Sequence, residues 1–393
     1  MCHFSCAQYL SLCITLTIEV AVNEISIPIL ISNFKPFRLI CRDKFDIWNP
    51  SLEQINKSTY DYVKLHRASK FFDANLPRKM PACLGFDGSL IFPFIEEFQN
   101  DDFVIEEFNR ILASIFIGGV YVESISPLDV SKGTINTIGY YRYSTTHSSN
   151  SDFHRAVGEC DAGSLASIKL LEPDIMDADN IISAYNYGHL ILSKLTNVSP
   201  TLLIGSFTYY RHHQLRESLA HAWISIEQIL EIIWNQTIIE NAKNINIQKR
   251  RKFLESQQWN SAHKIEMLYQ NNFISETLYS YLSTARFARN DFIHKGLTPS
   301  YDDSLSALMS LILLLEVVSL LNEINFDKNR LEKNLMNKSN HFTLHTYTPA
   351  RESHEVEGIK YWRELKKIPG DKNWEGEYES FPDRSEEHTS ELQ

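Results

Sequence analysis

Cysteine is scarce in this chain and poorly spaced. The six are Cys2, Cys6, Cys13, Cys41, Cys83 and Cys160 in 393 residues, none in a CxxC pair and none in the C-terminal half. That spacing excludes a disulfide framework and points to reduced thiols, hence a cytoplasmic protein. Cys2, His3 and Cys6 lie close together but lack a fourth ligand at zinc-like spacing, so no metal is assigned. Basic excess is also missing. Thirty-eight Lys and Arg face 49 Asp and Glu, for a formal charge of -11, so any contact with nucleic acid has to come from a local patch. HExxH, GxSxG, P-loop and GxGxxG patterns are absent, which removes the motif basis for a zinc protease, a serine hydrolase or a nucleotide cofactor. The run Leu305 to Leu321 is long and apolar, but it carries Ser306, Ser310, Glu316 and Ser319 and is preceded by Asp302-Asp303-Ser304. It reads as a buried bundle helix rather than a membrane span. Residues 7 to 32 are apolar too. They lack a basic leader and contain Glu19 and Glu24, and the β-branched residues from Ile14 to Val22 suggest a strand instead of a signal segment. The expectation is a soluble protein with no membrane partner.

Apolar residues make up 43% of the chain, ample for a sizeable core, and the length suggests two domains plus tails. Residues 1–200 read as an α+β domain of unknown function, a candidate sensor. Strands and loops occupy its first 60 residues, and Leu76-Pro77 and Met80-Pro81 then break the pattern. A helical repeat follows from Ile95 to Ile117 and stops at Gly118-Gly119. Val120 to Ile125 reads as a strand, 143–164 as a loop, and Asp177 to Leu195 as a helix. After Ser199-Pro200 strand signals vanish, so the boundary is placed near residue 200, with an all-α bundle over 201–326. Its first long helix is expected from Phe207 to Trp234, with Leu219, Ala222, Trp223, Ile226, Ile229, Leu230 and Ile233 on one face. A second element covers Ser261 to Leu268. A third runs from Ser275 to His294 with Leu278, Leu282, Ala285 and Phe292 inward, and the last opens at Tyr301. Residues 327–383 form a polar tail. The last ten, Arg384 to Gln393, spell the translation of a common short-read sequencing adapter and are set aside from fold reasoning.

One constellation carries chemistry. Arg289 and His294 lie five apart at the end of the third element, and Asn290 shares the His294 face at a spacing of four. RNA cleavage needs a group that moves a proton between the 2′-hydroxyl and the leaving 5′-oxygen, which an imidazole does near neutral pH. It also needs a cation for the growing phosphoryl charge, which a guanidinium supplies bidentately. Such an Arg and His pair also arises where a helix C-terminus simply collects cations. Glu227 borders the apolar face of the first long helix and is either an orienting carboxylate for Arg289 and His294 or a carboxylate paired elsewhere. Lys249, Arg250, Arg251 and Lys252, with Arg286 three before Arg289, are candidate RNA-phosphate contacts, the alternative being a solvated face. His213, Glu217 and His221 recur every four residues, a spacing that either holds a metal or forms a solvated face.

Ala285-Arg286-Phe287-Ala288-Arg289-Asn290-Asp291-Phe292-Ile293-His294-Lys295-Gly296 resembles the Arg-x4-His signature of HEPN domains. Trp223-Ile224-Ser225-Ile226-Glu227-Gln228-Ile229-Leu230 resembles the first long HEPN helix. Trp259 with Ala262 to Leu268 looks like the connecting segment of ApeA-like members. The resemblance covers about 205–325. It implies a helical bundle that dimerises so that two Arg-x4-His motifs form one metal-independent RNase site without a cofactor. It further implies Arg289 and His294 as catalytic, Asn290 in support, and a role in bacterial anti-phage defence or stress response. Some HEPN domains keep the fold and only bind RNA or a protein partner. Toxins silenced by nucleotidylation carry a Tyr two residues after the His; here Gly296 stands there.

Overall fold

A computed structural model describes residues 26–36, 38–42, 66–143, 174–243, 246–256 and 258–336. Expectations for Ile14 to Val22, for the Cys2-His3-Cys6 group, for most of the 143–164 loop and for the tail beyond residue 336 lie outside them.

The N-terminal part is built on strands. They are β1 Ser26–Asn33, β2 Arg38–Cys41, β3 Ala68–Asp73, β4 Pro81–Gly85, β5 Ser89–Pro93, β6 Ser131–Asn136, β7 Tyr141–Tyr143 and β8 Asp174–Asp177. Six of them form an antiparallel sheet in the order β3-β4-β5-β1-β6-β7, while β2 pairs with β8 in parallel. In β1, Ile31 faces Ile91 of β5 on one side and Ser131 of β6 on the other. Of the two prolines read as breakers, Pro77 opens a short 3-10 turn and Pro81 opens β4; Pro93 closes β5, and at strand ends a missing N–H costs little.

Two helices cover this sheet. Asn100 caps α1 (Asp101–Ile117) by accepting from the Phe103 N–H, and Asp177 caps α2 (Ala178–Leu192). Phe108 of α1 stacks on Phe92 of β5 at 3.9 Å between centroids, and Tyr185 of α2 meets Phe72 of β3 edge-on. The two helices cross very closely. A Cβ on Gly188 would fall 1.9 Å from the Ser114 carbonyl oxygen, and one on Gly118 would fall 2.0 Å from that of Ala184. Val120 to Ile125 is not a strand. Its amides go to Lys35 O, to the Thr208 hydroxyl and to the Asn109 side chain rather than to a ladder.

Helices α3 (Pro200–Arg211), α4 (Leu215–Trp234), α5 (Gln248–Leu254), α6 (Ser261–Gln270), α7 (Glu276–Lys295), α8 (Tyr301–Leu321) and α9 (Lys328–Met336) follow. The single helix expected over Phe207 to Trp234 is two. His213 has φ 59, and the turn at His212 to Gln214 separates α3 from α4. Helix α4 is the centre of the bundle, with Leu219, Ala222, Ile226, Ile229 and Ile233 wholly buried against α3, α7 and α8. Helix α8 is a core helix, with Leu308, Leu311, Ile312 and Leu314 sealed from solvent. Past it, α9 docks through the buried Leu331 and Leu335, so the expected polar tail begins with an anchored helix.

The compositional change near residue 200 is a change of element type, not a break in the core. One cluster of buried side chains runs from Ile27 to Leu335. Polar contacts cross the same joint: Glu106 of α1 accepts from the Ser199 and Thr201 hydroxyls, and the Asn109 amide donates to Ile125 O and the Thr201 hydroxyl.

Candidate functional site

Arg289, Asn290 and His294 occupy the last two turns of α7. Ser275 caps the start of that helix, and Gly296 ends it in the left-handed region at φ 68. The Gly296 N–H donates to Phe292 O at 3.0 Å and the Leu297 N–H to Asp291 O at 3.3 Å, which fixes the last turn. Leu278, Leu282 and Ala285 are buried, but the stripe stops there and Phe292 is only half-buried. The final turns therefore stand partly clear of the bundle.

On a helix, five residues turn the chain by about 140°, so Arg289 and His294 do not share a face from their Cα positions alone. Asn290 Oδ1 accepts from Arg289 Nη1 at 3.2 Å, which ties the guanidinium to its neighbour, and Asn290 stands four residues before His294. His294 is exposed, open to a substrate from solvent. Lys295 pairs with Asp291 at 2.7 Å on the surface, a contact of small energetic weight. Arg286 folds over the Phe287 ring, 4.9 Å from its centroid. Phe287, Ile293 and Leu297 expose more than half of their surface around this motif, an apolar rim on an otherwise polar helix end.

Glu227 does not orient this pair. It is exposed on α4, and its carboxylate accepts from the Ser261 hydroxyl of α6 at 2.7 Å, so it ties α4 to α6. The next turn repeats the tie, with Lys264 bonded to Glu231.

The basic run is exposed on α5, but far from the motif. Trp234, at the end of α4, donates from Nε1 to Leu254 O at 3.2 Å and holds α5 there. The opposite end of α4 meets the chain just past α7, where Arg216 donates from Nε and Nη2 to the Thr298 hydroxyl at 3.1 and 2.5 Å. The two ends are about 27 Å apart along the helix. Arg216 is thus the cation of α4 bound to the segment that follows the motif. The sequence hid it because a continuous helix from Phe207 placed it mid-element rather than in a first turn.

His213, Glu217 and His221 do not form a metal face. His213 lies in the turn before α4, and His221 packs edge-on against Tyr209 at 4.9 Å. Among the described residues no group of three His, Cys, Asp or Glu could hold a metal ion. Burial lowers the His221 pKa below the ordinary imidazole value, with Glu217 opposing.

Two polar clusters of the N-terminal part gave no sequence signal. Buried Asp87 accepts from the Tyr141 hydroxyl at 2.5 Å, the Ser89 hydroxyl at 2.5 Å, the Ser89 N–H at 3.0 Å and the Tyr143 hydroxyl at 3.2 Å. Burial, then Asp87, pushes the Tyr141 pKa well up. Between α1 and α2, Arg110 donates to Ala74 O and Glu107, while Asn75 bridges the Tyr185 hydroxyl and His189 Nε2. Burial, then Arg110, lowers the His189 pKa. The Asp87 carboxylate is satisfied by these donors, the behaviour of a structural network, whereas His189 Nδ1 is buried with no hydrogen-bond partner.

Compared with known proteins, the chain matches no family model, no curated protein and no solved structure.

Proposed function

We propose that this protein is a metal-independent endoribonuclease of the HEPN type, acting in the cytoplasm as a homodimer in bacterial defence or stress response. The observation that carries the reading is the Arg289 guanidinium hydrogen-bonded to Asn290 on the turn that also presents exposed His294. In the proposed reaction His294 accepts the 2′-hydroxyl proton as that oxygen attacks phosphorus. The P–O5′ bond breaks, and the protonated imidazole of the second copy returns a proton to the 5′-oxygen. Arg289 stabilises the phosphoryl oxygens, where negative charge grows. The chemistry asks for no cofactor. Phe287, Ile293 and Leu297 supply the apolar rim on which two copies would meet.

That same rim favours a second reading, a non-catalytic module that captures RNA or a protein partner. An RNA-cleavage assay in EDTA separates the two. The wild-type chain is expected to cut and leave 2′,3′-cyclic phosphate ends, with His294→Ala inactive. Cleavage that survives His294→Ala removes the assignment, and capture without cleavage selects the module.

A further inference from the structure

We propose that α5 and the aromatic stack behind it form a platform for single-stranded RNA, in which Phe253 takes a base and Lys249, Arg250 and Lys252 take phosphates. The inference rests on the reading of RNA as the substrate and adds how the strand is held.

Phe253 is 51% exposed, although the next residue, Leu254, is buried. The outward ring is not left loose. It meets Trp259 edge-to-face at 5.8 Å, Trp259 lies 4.9 Å from Trp234, and Trp234 is wholly buried. A rigid aromatic column thus leads from the core to the surface and ends in a half-open ring. A single exposed Phe is ordinary. This one follows four consecutive cations in a protein of net charge -11. Of the four, Arg251 is engaged by Glu255 at 2.7 Å, and the other three have no acidic partner among the described residues.

Charge complementarity selects a polyanion, and the half-open ring selects one whose bases are unpaired. Stacking on aromatic side chains is how proteins hold single strands, whereas a duplex hides its base faces. An anionic membrane surface fits less well. Helix α5 has seven residues, and its exposed apolar side chains are Phe253 and, at its cap, Ile247. Interfacial helices bury a much larger apolar face. The platform sits at the Trp234 end of α4, about 27 Å from the Arg216 and Thr298 end near the candidate catalytic turn. A stacked strand covers that span with about eight nucleotides.

The test uses the full chain carrying His294→Ala, so that RNA survives the titration. Fluorescence anisotropy follows a labelled single-stranded RNA of about twelve nucleotides, longer than the span, and tryptophan emission is read in parallel. Phe253→Ala is expected to weaken binding about tenfold and to remove most of the tryptophan quenching, while Phe253→Tyr keeps both. A duplex of the same sequence is expected to bind with no dependence on Phe253. Far-UV circular dichroism checks that both variants fold. Unchanged affinity in Phe253→Ala, an equal loss for duplex, or Phe253-dependent sedimentation with phosphatidylserine vesicles in place of RNA binding overturns the platform. Because binding is read on the cleavage-dead chain, the two readings fail separately. Phe253-dependent binding by a wild-type chain that never cuts RNA keeps the platform and removes the nuclease. Cleavage with Phe253-independent binding does the reverse.

Discussion

Asn290 is the residue on which the candidate site turns, since it holds the Arg289 guanidinium by a hydrogen bond and stands one helical turn before His294. Asn290→Ala is therefore expected to lower RNA cleavage by about tenfold and to raise KM less than it lowers kcat. Arg289→Ala, which removes the cation itself, should cost about a hundredfold or more. Steady-state kinetics on a defined RNA checks the order. Two other histidines act on stability rather than chemistry. His189 and His221 both have folded pKa values lowered by burial. Both bind a proton less readily in the fold than in the unfolded chain, whose imidazoles protonate near 6.5. Their stabilising contribution is thus present above that pH and is lost as pH falls through the lowered folded values. Thermal melts should show Tm dropping as pH falls below about 6.5, with a shallower drop in the His189→Gln, His221→Gln double variant.

At the scale of elements, caps and stripes were legible. Helix α7 starts after Ser275 and α8 opens at Tyr301 as the sequence suggested, but the cap of α8 is the Ser300 and Asp303 box and not Asp302-Asp303-Ser304, which lies inside the helix. Gly296 lies at φ 68, and an added Cβ would meet nothing within 4 Å, so Gly296→Ala carries backbone strain alone. It should destabilise by about 1 kcal/mol, measured by urea unfolding. The elements that were missed have two causes. β4 and β5 are short, and their flanking prolines look like loop punctuation. The break between α3 and α4 falls on His212, His213 and Gln214, none of which is a helix breaker by composition, so tertiary packing decides it. Glu227 was left with two readings, because a face edge on a helical wheel does not say which neighbour it meets. It meets α6.

For the whole molecule, the continuous core is the governing fact. Side chains from β1 to α9 belong to one buried cluster, and the Glu106 and Asn109 contacts lock α1 to the start of α3. Calorimetry on the full chain should show one cooperative transition. A fragment starting at Ser199 should melt broadly and bind a hydrophobic dye, because Phe207 loses the Phe116 ring that packs 4.6 Å away. Sharp, independent melting of that fragment would refute a shared core.

Helix α9 shows what this continuity means under load. Leu331 and Leu335 are buried, Lys328 holds Glu316 of α8, and Arg330 lies over the Tyr187 ring of α2. The Tyr187 hydroxyl, in turn, donates to Asn325 O. A pull applied from beyond residue 336 meets these attachments one after another, as in peeling tape, and never all at once. Tension on that side would strip α9 at low force, uncover Tyr187, and transmit strain to both halves of the molecule before either yielded.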